Sequence, residues 1–281
     1  AGAEDEDVAA ERAEVEGGAC GPGVPVQVRR LREVFGGRGL LGGGGGGDEK
    51  IAISSLSFKI AEDECFGLLG PNGAGKTTCI SMLTGLYPPT SGRASICGFD
   101  LATQMHKINE LMGVCPQFDI LWPTLSVRET LRFYVMIKGT PRREWALATE
   151  SAAAAVDLRH AYTRFVGRLS GGMKRRVSLA ISLLGNPAVV FLDAPTTGLD
   201  PQTKRAMWSL IDGAKEGRSI VLTTHSMEEA DALCGRIGIM SGGRLACLGT
   251  SLHLKKTVAE GHKLALTVTA GSEPAATAYV A

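Results

Sequence analysis

The sequence predicts an α/β fold in which crossover helices join the strands of a largely parallel sheet. Short, continuous apolar runs at Cys65–Leu69 and Val189–Leu192 suit strands buried on both faces, and a further strand-like run lies at Ile220–Thr224. Helical stretches separate the later runs, the alternation that parallel strands impose. A glycine-rich loop, Gly70–Thr78, leaves the first run and enters a helix reading from Lys76 to Leu86.

Along the chain, residues 1–16 carry seven acids against one base, Arg12. An acidic, Ala-rich opening of this kind reads as a solvated, disordered tail, residues 1–23. A single domain then spans residues 24–260. Val24–Phe35 is β-rich, and from Lys50 the apolar residues alternate (Ile51, Ile53, Leu56, Phe58, Ile60), as in a half-buried strand. The two segments pair as a hairpin whose tip is the glycine tract at 36–47, where nine of the 37 glycines crowd together. They predict an antiparallel β subdomain. Further strand-like runs lie at Ala94–Cys97, Leu111–Cys115 and Arg236–Met240. From Val127 to about His160 the chain is helix-prone (Glu129–Ile137, Glu144–Val156), which predicts an α-helical subdomain inserted at about 119–185. Residues 261–281 alternate at Leu264, Leu266 and Val268 and then turn Ala-rich, as the start of a further domain would.

Composition excludes several classes. Outside the acidic opening the balance is +7, but the bases are scattered and give no argument for nucleic-acid binding. Seven cysteines (20, 65, 79, 97, 115, 234, 247) show no CxxC pair or metal-like spacing and read as reduced thiols. No stretch reaches the roughly 18 apolar residues of a membrane span. The acidic start does not resemble a secretory signal.

Gly70-Pro71-Asn72-Gly73-Ala74-Gly75-Lys76-Thr77, followed by Thr78, fits GxxxxGK[ST] between a buried strand and a helix. Glycines let consecutive backbone N–H groups turn inward on phosphate oxygens, and the helix N-terminus adds partial positive charge. Lys76 would reach the β- and γ-phosphates, and the Thr77 hydroxyl would ligate Mg²⁺. The core is therefore expected to be that of a P-loop NTPase. Gly42–Gly47 lacks a lysine and a following apolar helix, and reads as linker.

Val189–Leu192 runs into Asp193. Strand C-termini in a parallel sheet face the ligand crevice, so Asp193 is placed to hold Mg²⁺ beside the phosphates. An apolar run ending in Asp is as often the start of a turn; the upstream phosphate loop favours the functional reading. The next residue, Ala194, has no group able to orient or deprotonate an attacking water. A general base typically contributes 10²–10⁴-fold, about 3–5 kcal/mol of barrier.

Taken together these residues resemble the nucleotide-binding domain of ABC transporters, across roughly residues 24–249. Leu169-Ser170-Gly171-Gly172-Met173 resembles the family's LSGGQ signature with Met in place of Gln. Gln117, in Cys115-Pro116-Gln117-Phe118-Asp119, matches the Q-loop glutamine that senses Mg²⁺ and contacts the transmembrane domain. Leu199-Asp200 matches the D-loop, and His225 the switch histidine at the γ-phosphate. Phe35 lies where the family often stacks an aromatic on adenine. The resemblance implies ATP and Mg²⁺ as ligands, and a second cassette whose signature completes the site. It also implies transmembrane domains as partners and a place on the cytoplasmic face of a membrane. The segments Gly171–Arg176 and Thr224–Asp231 look most like the A subfamily, whose members often move lipids; there a regulatory domain follows the cassette. The family has Glu where this chain has Ala194, which implies slow hydrolysis at the chain's own site.

Plainer readings accompany these. Val177, Ile181 and Leu184 sit at helical spacing as core, Lys174-Arg175-Arg176 reads as a partly solvated helix face, and His106, His160, His253 and His262 read as structural. The competing functions are a non-transport ABC ATPase and a nucleotide-binding regulator that does not hydrolyse. The first is disfavoured by the absence of a coiled coil between loop and signature and by the single cassette.

Overall fold

The computed structural model describes residues 5–18, 23–36 and 49–258. The tip of the predicted hairpin and residues 261–281 lie outside them. In chain order the elements are α1 (Glu6–Glu16), β1 (Val26–Phe35), β2 (Lys50–Ile60), β3 (Cys65–Leu69), α2 (Lys76–Leu83), β4 (Ser91–Ile96), β5 (Phe99–Asp100), α3 (Met105–Leu111) and β6 (Met112–Cys115). Then come α4 (Val127–Ile137), α5 (Trp145–Ala155), α6 (Gly171–Leu183), β7 (Val189–Asp193), α7 (Pro201–Gly213), β8 (Ser219–Thr224), α8 (Met227–Leu233), β9 (Arg236–Ser241), β10 (Arg244–Gly249) and α9 (Ser251–Val258).

Two sheets result. One is antiparallel, in the order β2-β1-β4-β5; the other has the order β10-β9-β3-β8-β7-β6 and is parallel except for β10. The period of two along each central strand assigns its side chains to two cores. In β7, Val189 and Phe191 face the antiparallel sheet, while Val190 and Leu192 face the helices. In β3, Phe66 and Leu68 take the first side and Cys65 and Leu69 the second. Both faces are covered, which is why these strands read as unbroken apolar runs. Between the sheets Phe58 stacks on Phe66 at 5.4 Å. On the other side α4, α5 and α6 pack together, the first opened by a capping box of Ser126 and Glu129.

β1 and β2 pair antiparallel as expected, with irregular register around Arg30, whose φ of 46° marks a bulge. The irregularity breaks strict alternation, and Ile51 is exposed. β9 matches the strand-like run at Arg236–Met240, whereas β10, the short β5 and helix α3 go beyond the sequence reading.

The acidic opening differs from expectation. Where described, it is a helix, not a disordered tail. Asp5 caps α1 by accepting from the N–H groups of Asp7 and Val8, and Glu6 and Asp7 favour the positive N-terminus of the helix. Val8 and Val15 are buried. Glu11 is buried too, accepting from Lys59 N at 2.8 Å and from Arg236 Nη1 at 2.9 Å. Glu14 pairs with Lys59 and Glu16 with Arg30. Three of the acids that suggested a solvated tail, Glu11, Glu14 and Glu16, are therefore counter-ions of bases 14 to 225 residues away.

The hydrogen bond from Arg30 holds the Glu16 carboxyl below its ordinary value. Its contribution is then complete above the ordinary carboxylate range and is lost as pH falls through the lowered value. Glu11→Ala leaves a backbone donor and a guanidinium short of a partner. We expect it to lower stability by roughly 1–3 kcal/mol and to raise amide exchange across residues 6–16, with Glu11→Gln retaining part of both. Unchanged exchange in Glu11→Ala would show that Glu11 does not hold α1 in place.

Candidate functional site

Four strands deliver their C-terminal ends to one edge of the parallel sheet. Leu69 pairs with Thr224, Thr223 with Asp193, and Leu192 with Cys115. The loops that leave these ends therefore begin side by side: Gly70 after β3, Gln117 after β6, Ala194 after β7 and His225 after β8. A cavity of about 470 Å³ opens there. Phe35, Asn72, Gly73, Gly75, Lys76, Thr77, Thr78, Gln117, Asp193, Ala194 and His225 line it. Lys50, Ile51, Ala52, Thr197, Thr223 and Thr224 complete the wall. Its size falls within the range of small-molecule sites. A larger cavity, about 640 Å³ and lined by Glu62, Asp63, Cys97 and Arg218 among others, contains none of the predicted site residues.

The loop is built for close approach. Gly70 N donates to Thr224 O at 3.3 Å, and a Cβ on Gly70 would lie 2.4 Å from Met240 O. Gly75 has φ of 104°, and a Cβ there would lie 2.7 Å from Ala52 O. Only glycine meets both conditions. Gly75 is also the N-cap of α2 and supplies no side-chain cap, whereas Ser126, Ser170, Asp200 and Ser226 cap α4, α6, α7 and α8. The leading amides of α2 thus remain available to an anion. Lys76 Nζ donates to the carbonyls of Gly70 (2.7 Å) and Pro71 (2.9 Å), which hold the ammonium across the loop. Burial pulls its pKa down and Asp193 offsets part of that.

Asp193 is 5% exposed. One of its oxygens accepts from Thr77 Oγ1 at 3.2 Å and from Thr223 Oγ1 at 2.5 Å. A hydroxyl and a carboxylate meeting at a phosphate loop are hard oxygen donors, a set that suits Mg²⁺ with water and phosphate as further ligands. No cluster of three His, Cys, Asp or Glu exists among the described residues, so the donors do not suit a transition metal. Ala194 adopts φ of 44° and donates its N–H to Thr223 Oγ1 at 2.9 Å. Phe35 is half-exposed, its ring edge-on to Tyr87 at 5.8 Å.

Not every predicted residue meets in this cavity. Ser170, Gly171 and Gly172 form the start of α6 and do not line it; Ser170 Oγ accepts from Met173 N at 3.3 Å. Gly172 lies against Thr203 of α7, next to Asp200, which caps that helix. Pro71 and Ala74 shape the loop from outside the lining, with Ala74 N donating to Pro71 O.

Two positions escaped the sequence reading. Arg175 was expected on a solvated face but is 4% exposed and bonded to four acceptors. Arg176 fits the expectation better, pairing with Asp157 at the surface. Glu229, 3% exposed, accepts from Thr196 Oγ1 at 2.6 Å and from Trp208 Nε1 at 3.2 Å, which fastens the turn after Asp193 to α8 and α7. A charged residue in a segment that must pack on the sheet was the available signal for each.

Comparison with known proteins agrees with this geometry. The family model described as ABC transporter matches residues 53–197, just over half of the chain. ABC transporter A family member 7 of Dictyostelium discoideum is 45% identical over 265 residues, covering 94% of this chain and 30% of that protein. ABC transporter A family member 2 of Arabidopsis thaliana is 52% identical over 212 residues, covering 75% of this chain and 22% of that protein. The chain thus spans less than a third of the length of these relatives. Among solved structures, an ATP-binding subunit of an ABC transporter superposes with a TM-score of 0.70 at 26% identity, covering 83% of this chain and 92% of that one. A dimeric ATP-binding cassette in a post-hydrolysis state, bound to ADP and Pi, gives 0.71 at 23% identity, covering 80% and 98%, and bears on the fold alone. The chain belongs to the ABC transporter family: it is an ATP-binding cassette whose curated relatives are A family members.

Proposed function

We propose that this chain binds ATP with Mg²⁺ in the cavity at Gly70–Thr78 and powers transmembrane transport, yet turns ATP over slowly at that site. The carrying observation is the side chain after Asp193. Among the residues lining the cavity, Asp193 is the only carboxylate, and its oxygen is engaged by Thr77 and Thr223. Position 194 presents a methyl group in the place from which a base would act on water.

The geometry supports the following division of labour. Amides of the loop and the start of α2 bind phosphate oxygens, while Lys76 neutralises their charge. Thr77 and Asp193 would hold Mg²⁺, with Gln117 beside them, and the ion would supply charge neutralisation to the phosphates. His225 would contact the terminal phosphate, and Phe35 the adenine. With Ser170–Gly172 outside the chain's own cavity, they serve the site of a second cassette. In this reading the cassette works at the cytoplasmic face of a membrane, against transmembrane domains, with lipid as the cargo.

Restoring the base tests the proposal. Ala194→Glu should raise the ATPase rate 10²–10⁴-fold with little change in nucleotide affinity. An unchanged rate with ATP still bound would favour the non-hydrolysing regulator instead. Lys76→Ala and Gly75→Val should each weaken Mg-ATP binding at least tenfold, measured by calorimetry. Undiminished binding by Lys76→Ala would remove the basis for placing phosphate in this loop.

A further inference from the structure

Arg175 lies within the second turn of α6, five residues after its cap Ser170. Its guanidinium bonds outward from the helix to two separate segments, the 116–119 loop and the turn at 193–195. Nη1 donates to Pro116 O at 2.5 Å and to Asp119 Oδ1 at 3.2 Å, on the two sides of Gln117 and Phe118. Nη2 donates to Asp193 O at 3.0 Å, the carbonyl of the residue whose carboxylate meets Thr77. Nε donates to Pro195 O at 2.7 Å, one residue past Ala194. Ser178, one turn further along α6, donates to the same Asp119 oxygen at 2.7 Å. Arg175 and Ser178 are each 4% exposed and the bonds to Asp193 and Pro195 are buried, while the Asp119 side chain is 24% exposed.

We propose that Arg175 is a positioning residue that couples three things: the carboxylate end of β7, the loop bearing Gln117, and the start of α6 bearing Ser170–Gly172. The inference rests on the reading of the cavity as a Mg-nucleotide site and adds a route by which its occupancy reaches two segments outside the phosphate loop. The planar fork is what makes one side chain sufficient. Its three nitrogens point in fixed, divergent directions, so acceptors on different segments are held in one plane. A displacement of the Asp193 peptide is then expected to move the 116–119 loop, α6 or both, because loss of the bond to Asp193 O or Pro195 O leaves a buried carbonyl unmatched. A lysine ammonium, a single point on a flexible stem, cannot span Pro116, Asp193 and Pro195 together.

Hydrogen exchange of the full chain, with and without Mg-ATP, tests the coupling. In the unaltered chain, nucleotide should slow exchange at 70–78 and also change it at 115–121 and 170–176. In Arg175→Lys, Mg-ATP affinity should stay within threefold and protection at 70–78 should persist, while the response at the two distant segments falls by at least half. In an Ala194→Glu background, Arg175→Lys should lower kcat at least tenfold with KM within threefold. A role confined to holding the fold would lower the melting temperature and leave the distant responses intact. Should Arg175→Lys not fold, Asp119→Asn examines the same link from the loop, with the response expected to weaken at 115–121 and to remain at 170–176. Distant responses equal to those of the unaltered chain, in whichever variant folds, would overturn the role of Arg175. Failure of the unaltered chain to bind Mg-ATP would overturn the reading of the cavity itself, and the coupling with it.

Discussion

The site depends on one constraint, the parallel register of β3, β8, β7 and β6. Parallel strands end together, so their loops must start together, and each of the four carries one part of the chemistry. The pairing of Asp193 with Thr223 brings a hydroxyl within 2.5 Å of the carboxylate, and the pairing of Leu69 with Thr224 lets Gly70 dock on the same strand. A slip of one residue would exchange the two core faces, putting Phe191 on the helical side and Leu192 between the sheets. The apolar strands therefore fix the position of Asp193 at least as firmly as its own bonds do.

The turn that follows Asp193 is held from three directions. Thr223 bonds its amide, Arg175 its carbonyls at 193 and 195, and Glu229 the hydroxyl of Thr196. This surrounding frame sustains Ala194 at φ of 44°, a region that costs a non-glycine residue on the order of 1–2 kcal/mol. The cost belongs to the backbone and is common to any side chain with a Cβ. Replacing the methyl by a carboxylate therefore demands no new turn, only a side chain extending from a Cβ already at the cavity wall.

What could be read in the sequence is what local pattern or fixed spacing determines. Gly70–Thr78 announces itself because its glycines, lysine and threonine must be adjacent, and Val189–Asp193 because a doubly buried strand is apolar throughout. The helical stretch at 127–155 showed in its propensity and the β1–β2 pair in its β-rich composition. What stayed hidden depends on partners far away. Nothing in Glu11 reveals that Arg236 will meet it, 225 residues on. Likewise the run Lys174-Arg175-Arg176 looks uniform, yet helical rotation turns its middle member into the protein and its last toward Asp157 at the surface.

The placement of the α6 N-terminus completes the physical picture. Gly172 stands against Thr203 of α7, and Ser170, Gly171 and Gly172 lie outside the cavity formed by the chain's own phosphate loop. In the proposed reading, a nucleotide bound at Lys76 must draw its remaining contacts from another cassette, and Ser170 must give its own to another's nucleotide. The alanine at 194 then weakens one of two composite sites and spares the other, since the signature on this chain touches neither Asp193 nor Ala194 directly. Arg175 stands five residues from Ser170 on that helix and bonds the Asp193 carbonyl. In the proposed reading it is a bonded path between the half-site this chain keeps and the half-site it offers.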